Sequence, residues 1–194
     1  MVTTGNSSSG KEERQSLQFN VAQLLKQQGP GNRSFHIVDA QAPDLDDDDI
    51  FISQPLNGQV KMHKTGQNIL VLGTFETSLT VPCTRCLTEV EVPITFEIEE
   101  TFVPTIDIAT GLQLPPDPDV DDATRINEQH ILDLTEVIRQ SIDINQPSQV
   151  LCQAECLGLC PQCGANRNEE ACDCREEQID ARWSGLQALK DRLT

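Results

Sequence analysis

Residues 69–102 read ILVLGTFETSLTVPCTRCLTEVEVPITFEIEETF. Apolar and polar residues alternate on both sides of a short connector, the period-two pattern of strands with one buried face. Leu70, Leu72, Phe75, Leu79 and Val81 on the first arm, and Val90, Val92, Ile94, Phe96 and Ile98 on the second, supply the expected buried faces. A break in phase near Gly73 suggests a β-bulge there. Upstream, Gln59–His63 repeats the alternation with Val60 and Met62, and a turn near Lys64–Asn68 joins it to the first arm. The expectation is an antiparallel β-meander whose second turn encloses Cys83 and Cys86.

Working outward, Leu17–Leu25 begins with alternation and shifts to helical spacing, so a short strand running into a short helix is expected. Phe35–Val38 is extended. Asp133 followed by Glu136 fits a capping box, and Leu134, Val137, Ile138 and Ile142 share one helical face, so a helix should cover the meander until Pro147 ends it. Trp183, Leu186, Leu189 and Leu193 form the stripe of a last helix beginning near Asp180. The fold class is therefore α+β: an antiparallel β-meander packed by one or two helices, followed by a cysteine-rich segment and a terminal helix. The expected organisation is a disordered leader over 1–14, a β domain with its covering helix over 15–150, a cysteine segment over 151–176 and a helix over 177–194. Acidic loops near 41–50 and 105–123 are read as flexible.

Composition narrows function. Of 194 residues 31 are acidic and 14 basic, a formal net charge of −17, and none of the stretches 1–50, 51–100, 101–150 and 151–194 is net basic. Simple electrostatic binding of naked RNA or DNA is excluded as the expected mode, since phosphate neutralisation needs surplus Lys and Arg. Asp44, Asp46 and Asp48 take the spacing of an EF-hand loop, but Asp49 and Pro55 stand where Gly and Glu are required, so the run reads as a solvated acidic loop. The opening residues lack an apolar signal-peptide core, and no apolar run approaches membrane-spanning length, so the expected location is cytoplasmic. No G-x-S-x-G, H-E-x-x-H or Walker pattern is present, and no enzyme is expected.

The chemistry lies in eight cysteines: Cys83 and Cys86, then Cys152, Cys156, Cys160, Cys163, Cys172 and Cys174. In a reducing compartment, such spacing points to metal sites rather than disulfides. Cys160-Pro161-Gln162-Cys163-Gly164 has the form of a zinc knuckle, with Pro161 stiffening the turn and Gly164 free to take a positive φ. Cys83-Thr84-Arg85-Cys86 shares the spacing but has Leu87 in place of Gly. Eight thiolates divide into two closed four-cysteine sites without His36, His63 or His130, and two structural zinc ions are expected. The expected pairing joins Cys83, Cys86, Cys160 and Cys163 in one site and Cys152, Cys156, Cys172 and Cys174 in the other. Two rivals use the same thiols. An iron–sulfur cluster suits four thiolates, although no aromatic or apolar shell surrounds them. A thiol-disulfide oxidoreductase would use C-x2-C at a helix start, whereas Cys83 and Cys86 lie between strands. A zinc-ribbon interaction or transcription module is a third reading, weakened by the lack of a basic helix beside the knuckles.

The elements C-x-R-C-L at Cys83–Leu87, LDLTEVIRQSI, CQAECLGLCPQCGANRN with the following CDC, and DARWSGLQALK together resemble the YceD family, named for large ribosomal RNA subunit accumulation. The resemblance covers about residues 15–194. Cys83, Arg85 and Cys86 match its C-x-R-C element. Gly158, Leu159, Cys160, Pro161, Cys163, Gly164, Asn166 and Asn168 match its G-L-C-P-x-C-G-x-N-x-N stretch, which Cys172 and Cys174 complete. Arg167 stands where an apolar residue is usual, and Ala181 replaces a Pro. Some members lack most tail cysteines, which implies that the metal is a staple of the fold. The resemblance implies a non-enzymatic factor in large-subunit biogenesis that supports 23S ribosomal RNA accumulation, processing or stability. With the charge, it implies a basic ribosomal protein or large-subunit precursor as partner, with no membrane and no small-molecule substrate.

Overall fold

Long alternating arms joined by two-residue or cysteine-bearing turns can satisfy their backbone groups only by pairing with one another, and they do so here. A computed structural model of the chain describes residues 16–45 and 49–174. The expected leader, the terminal helix with Trp183, Leu186, Leu189 and Leu193, and Asp46 and Asp48 of the acidic run lie outside these residues. The described elements are β1 (Gln18–Asn20), α1 (Ala22–Lys26), β2 (Asn32–Ala40), β3 (Phe51–Ile52), β4 (Leu56–Thr65), β5 (Asn68–Pro82), β6 (Glu89–Pro104), β7 (Arg125–Ile126), β8 (Ile131–Asp133) and α2 (Thr135–Ile144).

The main sheet runs β2-β4-β5-β6-β7, antiparallel except for the short parallel β6–β7 pair. β4 pairs with β5 over Asn68–Glu76, and β3 takes up the same side of β5 further on, at Leu79 and Thr80. β1 and β8 form a separate two-stranded sheet. The architecture is α+β, with the meander at its centre. Gly66, at φ +65°, turns the β4–β5 hairpin, where Thr65 is in register with Asn68.

The core forms where β4, β5 and β6 turn one face toward α1, α2 and the β1–β8 pair. Leu134, Val137, Ile138 and Ile142 of the α2 segment are all buried, as their spacing predicts. Phe75 and Phe96 stack at 5.5 Å, and Phe102 is fully buried. Along β5 the buried residues are Ile69, Val71, Phe75, Leu79 and Val81, with Thr77 as the buried polar exception. Leu70 and Leu72 are only half-buried, on the opposite face.

Gly73 corrects the expectation of a bulge. Register runs unbroken through it to both neighbours, Val60 and Ile98. A Cβ at Gly73 would lie 2.7 Å from Phe75 Cε2 and 3.0 Å from Ile98 Cγ1, so the glycine makes room for two core side chains and the alternation never changes phase. The phase break read from the sequence came from counting Leu70 and Leu72 as inward. Thr77 continues the inward row because its hydroxyl donates to the Gln54 carbonyl at 2.7 Å. The irregularity of the sheet lies instead in β2, between Ile37 and Ala40, where Asp39 has φ +51°.

The capping box also needs correction. Leu134 is the N-cap, and the Asp133 carboxylate accepts from the Thr135 N–H (2.9 Å), the Thr135 hydroxyl (2.6 Å) and Gln18 Nε2 (2.7 Å). Glu136 faces along the helix to Arg139 and Gln140 rather than back to the chain entry. Asp133 thus joins the start of α2 to β1. Burial pushes its pKa up, but the bonds from Thr135 and Gln18 outweigh this and hold it below the ordinary carboxylate value. A depressed carboxylate contributes stability above its unfolded pKa of about 3.9 and loses it as pH falls through the folded value. Asp133→Ala is therefore expected to cost about 1 kcal/mol at neutral pH. Urea titrations of the two proteins should converge once the pH drops below the folded pKa.

Residues 105–123 form a loop tied by its own side chains. Asp107 accepts from the N–H groups of Ala109 and Thr110, Ile106 bridges to Gln113, and the Asp121 carboxylate accepts from Ala123 N–H at a 3-10 turn, Asp122–Thr124. Among the described residues no helix is long and apolar enough to cross a membrane.

Candidate metal centre

The β5–β6 connector builds the first half of the site. Cys83 N–H donates to the Thr88 carbonyl at 2.8 Å and Leu87 N–H to the Cys83 carbonyl at 2.9 Å, with Leu87 at φ +62°. The tail repeats this pattern: Cys160 N–H donates to the Ala165 carbonyl at 2.8 Å, Gly164 N–H to the Cys160 carbonyl at 2.9 Å, and Gly164 has φ +74°. The two C-x2-C turns are therefore the same knuckle. Leu87 takes the left-handed conformation that glycine adopts freely, at a steric cost that its hairpin setting offsets.

The tail docks onto the first knuckle by two main-chain bonds and one from the Arg85 side chain. Thr84 N–H donates to the Val150 carbonyl (2.9 Å), Leu159 N–H to the Arg85 carbonyl (3.0 Å), and Arg85 Nη1 to the Cys156 carbonyl (2.9 Å). These contacts carry Cys152 and Cys156 to the sulfurs of Cys83 and Cys86. Two clusters result, Cys83, Cys86, Cys152 and Cys156 in one and Cys160, Cys163, Cys172 and Cys174 in the other, with the sulfurs of each within 4.8 Å of one another. The expected pairing of Cys83 and Cys86 with Cys160 and Cys163 is corrected: Cys152 and Cys156 complete the first cluster, and Cys172 and Cys174 complete the second. The reason is the tail's path. Val150 and Leu159 are both bonded to the first knuckle, so the segment between them lies on its sulfurs. The second knuckle then folds back on residues only about ten positions further along, which costs little loop-closure entropy.

The geometry fits metal ions. Cys83 and Cys156 sulfurs are 3.9 Å apart and those of Cys86 and Cys152 are 3.5 Å apart. A tetrahedral ion with bonds of about 2.3 Å to sulfur sets its ligands about 3.8 Å apart, whereas a disulfide needs about 2.05 Å. None of the eight cysteines is in a disulfide. Cys83, Cys86, Cys156 and Cys160 are buried, while Cys152, Cys163 and Cys174 are exposed, so the first cluster is the better enclosed.

The surrounding dipoles favour thiolates. Cys83 is lowered to about 6, chiefly by the Arg85 N–H, with the Cys86 and Cys152 N–H groups assisting against burial. Cys160 is likewise lowered to about 6 by the N–H groups of Cys163 and Gln162. Thr88 lowers Cys86. Three thiols move the other way: Cys152 is raised to about 12, first by sharing a hydrogen bond with Cys86, Cys174 to about 12, first by Cys163, and Cys172 is raised, first by Cys160. Each cluster thus sets a thiol that ionises readily beside at least one whose ionisation calls for a compensating positive charge. A divalent ion would supply that charge and release their protons on binding.

Asn166 and Asn168 extend the site. Asn168 Nδ2 donates toward the Cys156 sulfur at 3.3 Å, and its Oδ1 accepts from Leu157 N–H at 2.8 Å. Asn166 Oδ1 accepts from both the backbone N–H and the Nδ2 of Asn168. Residues next to the second knuckle therefore orient a ligand of the first cluster, the outer-shell arrangement common at metal centres. Gly158 sits between the clusters at φ +72°, and a Cβ there would lie 3.0 Å from the Arg85 carbonyl oxygen. Gly158→Ala combines left-handed strain with a backbone clash at the docking contact. It should destabilise the ribbon by about 1–3 kcal/mol, read as earlier chelator-induced loss of metal.

An antiparallel sheet that carries a two-cluster cysteine ribbon on one hairpin turn defines an α+β protein with two four-sulfur clusters, each able to hold a metal ion. The chain belongs to the YceD family: the family model described as large ribosomal RNA subunit accumulation protein YceD matches residues 71–190, from β5 through both cysteine clusters. An uncharacterised protein of Mycobacterium tuberculosis (strain ATCC 25618 / H37Rv) is 29% identical over 136 residues, 68% of this chain and 60% of the relative. The protein named large ribosomal RNA subunit accumulation protein YCED homolog 1, chloroplastic, from Arabidopsis thaliana is 24% identical over 159 residues, 72% of this chain and 50% of the relative. YlbN of Bacillus subtilis (strain 168), also uncharacterised, is 27% identical over 119 residues, 60% of this chain and 63% of the relative. The chain thus spans half to less than two thirds of the length of these relatives. No solved structure matches it.

Proposed function

We infer that this protein is a non-enzymatic factor in large ribosomal subunit biogenesis, that it supports accumulation of the large ribosomal RNA in the cytoplasm, and that it acts through a basic ribosomal protein. The family match over residues 71–190 carries the reading. The charge supports the mode of action. No basic residue occurs between Arg85 and Arg125, a stretch that includes all of β6 and the acidic loop at 117–122. Such a surface repels phosphate and steers basic protein.

Zinc is the ion that suits the two closed four-thiolate centres. Held by Cys83, Cys86, Cys152 and Cys156, and by Cys160, Cys163, Cys172 and Cys174, it would have no open position for water, and its role would be structural. Two zinc ions on eight thiolates take the formal charge from −17 to about −21.

Depletion of the protein in its host should lower mature 23S RNA relative to 16S RNA. Affinity capture at low salt should retain large-subunit proteins and lose them at high salt. Equally tight capture of protein-free 23S RNA would overturn the proposed partner.

A further inference from the structure

We propose that the outer edge of β6, from Thr95 to Thr101, is a docking strand for an extended, lysine- or arginine-rich segment of a protein partner, which adds to the sheet as a further strand. The proposal rests on the functional reading above and names the surface that would serve it.

Among the described residues β6 is paired on one side with β5 from Glu89 to Phe102 and on the other only at Val103 and Pro104, by β7. Among the described residues the other side is therefore an open edge up to Phe102. Two observations fix which residues face it. Cys83 N–H donates to the Thr88 carbonyl, which sets the phase of the hairpin so that even-numbered residues of β6 bond to β5. Pro93, which has no N–H to give, then stands at an outward position inside an unbroken ladder, the place where an edge strand tolerates proline. The outward N–H and C=O groups beyond it belong to Thr95, Glu97, Glu99 and Thr101, and all four residues are exposed.

Backbone direction and side-chain face share the same parity in a strand, so these four also place their side chains on the solvent face. Glu97 and Glu99 are the charged pair, with Glu89 and Glu91 continuing the row. Among the described residues Glu97 and Glu99 make no salt bridge. An added strand would set its own alternate side chains beside this row, where Lys or Arg at every second position neutralises it. The charges that block pairing with a second copy of this edge admit a basic strand.

The probe is a short peptide of alternating Lys and Val, with a second peptide of equal charge that carries Pro at a central Lys and at the adjacent Val, and one Lys more at its end, so that N–H groups are lost whichever of its edges faces β6. Binding of the first at low salt should slow amide exchange at Glu97 and Glu99 and should weaken at high salt. Glu97→Lys with Glu99→Lys, both at exposed positions, should weaken it about tenfold or more while leaving the thermal transition in place. Equal binding of the proline peptide, protection confined to the 117–122 loop, or no binding of either peptide would overturn the proposal. Retention of large-subunit proteins by the doubly substituted protein would place docking elsewhere while the functional reading stands. Peptide binding at this edge without any ribosomal capture would leave the edge intact and remove the function.

Discussion

Cys83→Ser combined with Cys160→Ser is expected to abolish zinc binding, whereas Cys83→Ser combined with Cys152→Ser should leave about one ion per chain, counted by native mass spectrometry. The contrast follows from the clusters, because the first pair of substitutions strikes both and the second strikes one. A site linking Cys83 to Cys160 would give the reverse result. Structural zinc sites in small domains supply about 10–16 kcal/mol of apparent binding energy, comparable with or above the whole stability of an ordinary domain, about 5–15 kcal/mol. Loss of the first centre should therefore release the tail from the β5–β6 turn. Amide protection should fall over residues 150–174 and persist in β4, β5 and β6, whose core excludes the cysteines. Graded chelation should remove the second ion first, because Cys163 and Cys174 are exposed while Cys83, Cys86 and Cys156 are buried.

Phe75→Ala carries the second large effect, a loss of about 3–5 kcal/mol in urea unfolding. Phe75 is 1% exposed, stacks on Phe96 and lies against the space that Gly73 leaves open, so its removal opens a cavity at the centre of the sheet. Against a total of about 5–15 kcal/mol this removes much of the margin. Phe51→Ala is the internal control: at 56% exposure on the short β3, it should change stability by no more than about 0.5 kcal/mol. Equal effects at the two positions would show that the β5–β6 face is not the core.

The meander was legible because one-sided burial imposes a period of two, and that period survives in Phe75, Leu79, Val81, Ile94, Phe96 and Ile98. It misled at Leu70 and Leu72, because apolar residues also occupy the outer face of a sheet and a glycine in the inner row looks like an interruption. The two-residue pieces β3 and β7 were not legible. Strands so short are defined by partners far away in sequence, and no local pattern marks them. The helix face at Val137, Ile138 and Ile142 was legible, but the cap was not, since Asp133 has several donors within reach and only the β1–β8 pairing decides among them.

The knuckle chemistry was also written in the sequence, since C-x2-C with a residue able to turn left-handed requires only local geometry. Leu87 understated it, because a leucine can be forced to a positive φ when a hairpin closes on both sides. One signal could have found the pairing: Cys160, Cys163, Cys172 and Cys174 form a contiguous block that closes with short loops, and the cheaper closure is the one observed.

By itself the sequence determined the alternating strands, the amphipathic face of α2, the acidic surface and the eight thiols, because each depends on residue type and short-range spacing. Only the tertiary structure decided which thiols meet, that Gly73 is a packing space, and that no other described strand pairs with the outer side of β6 from Thr95 to Thr101. Those depend on main-chain bonds between residues as distant as Thr84 and Val150, whose partners no local pattern specifies.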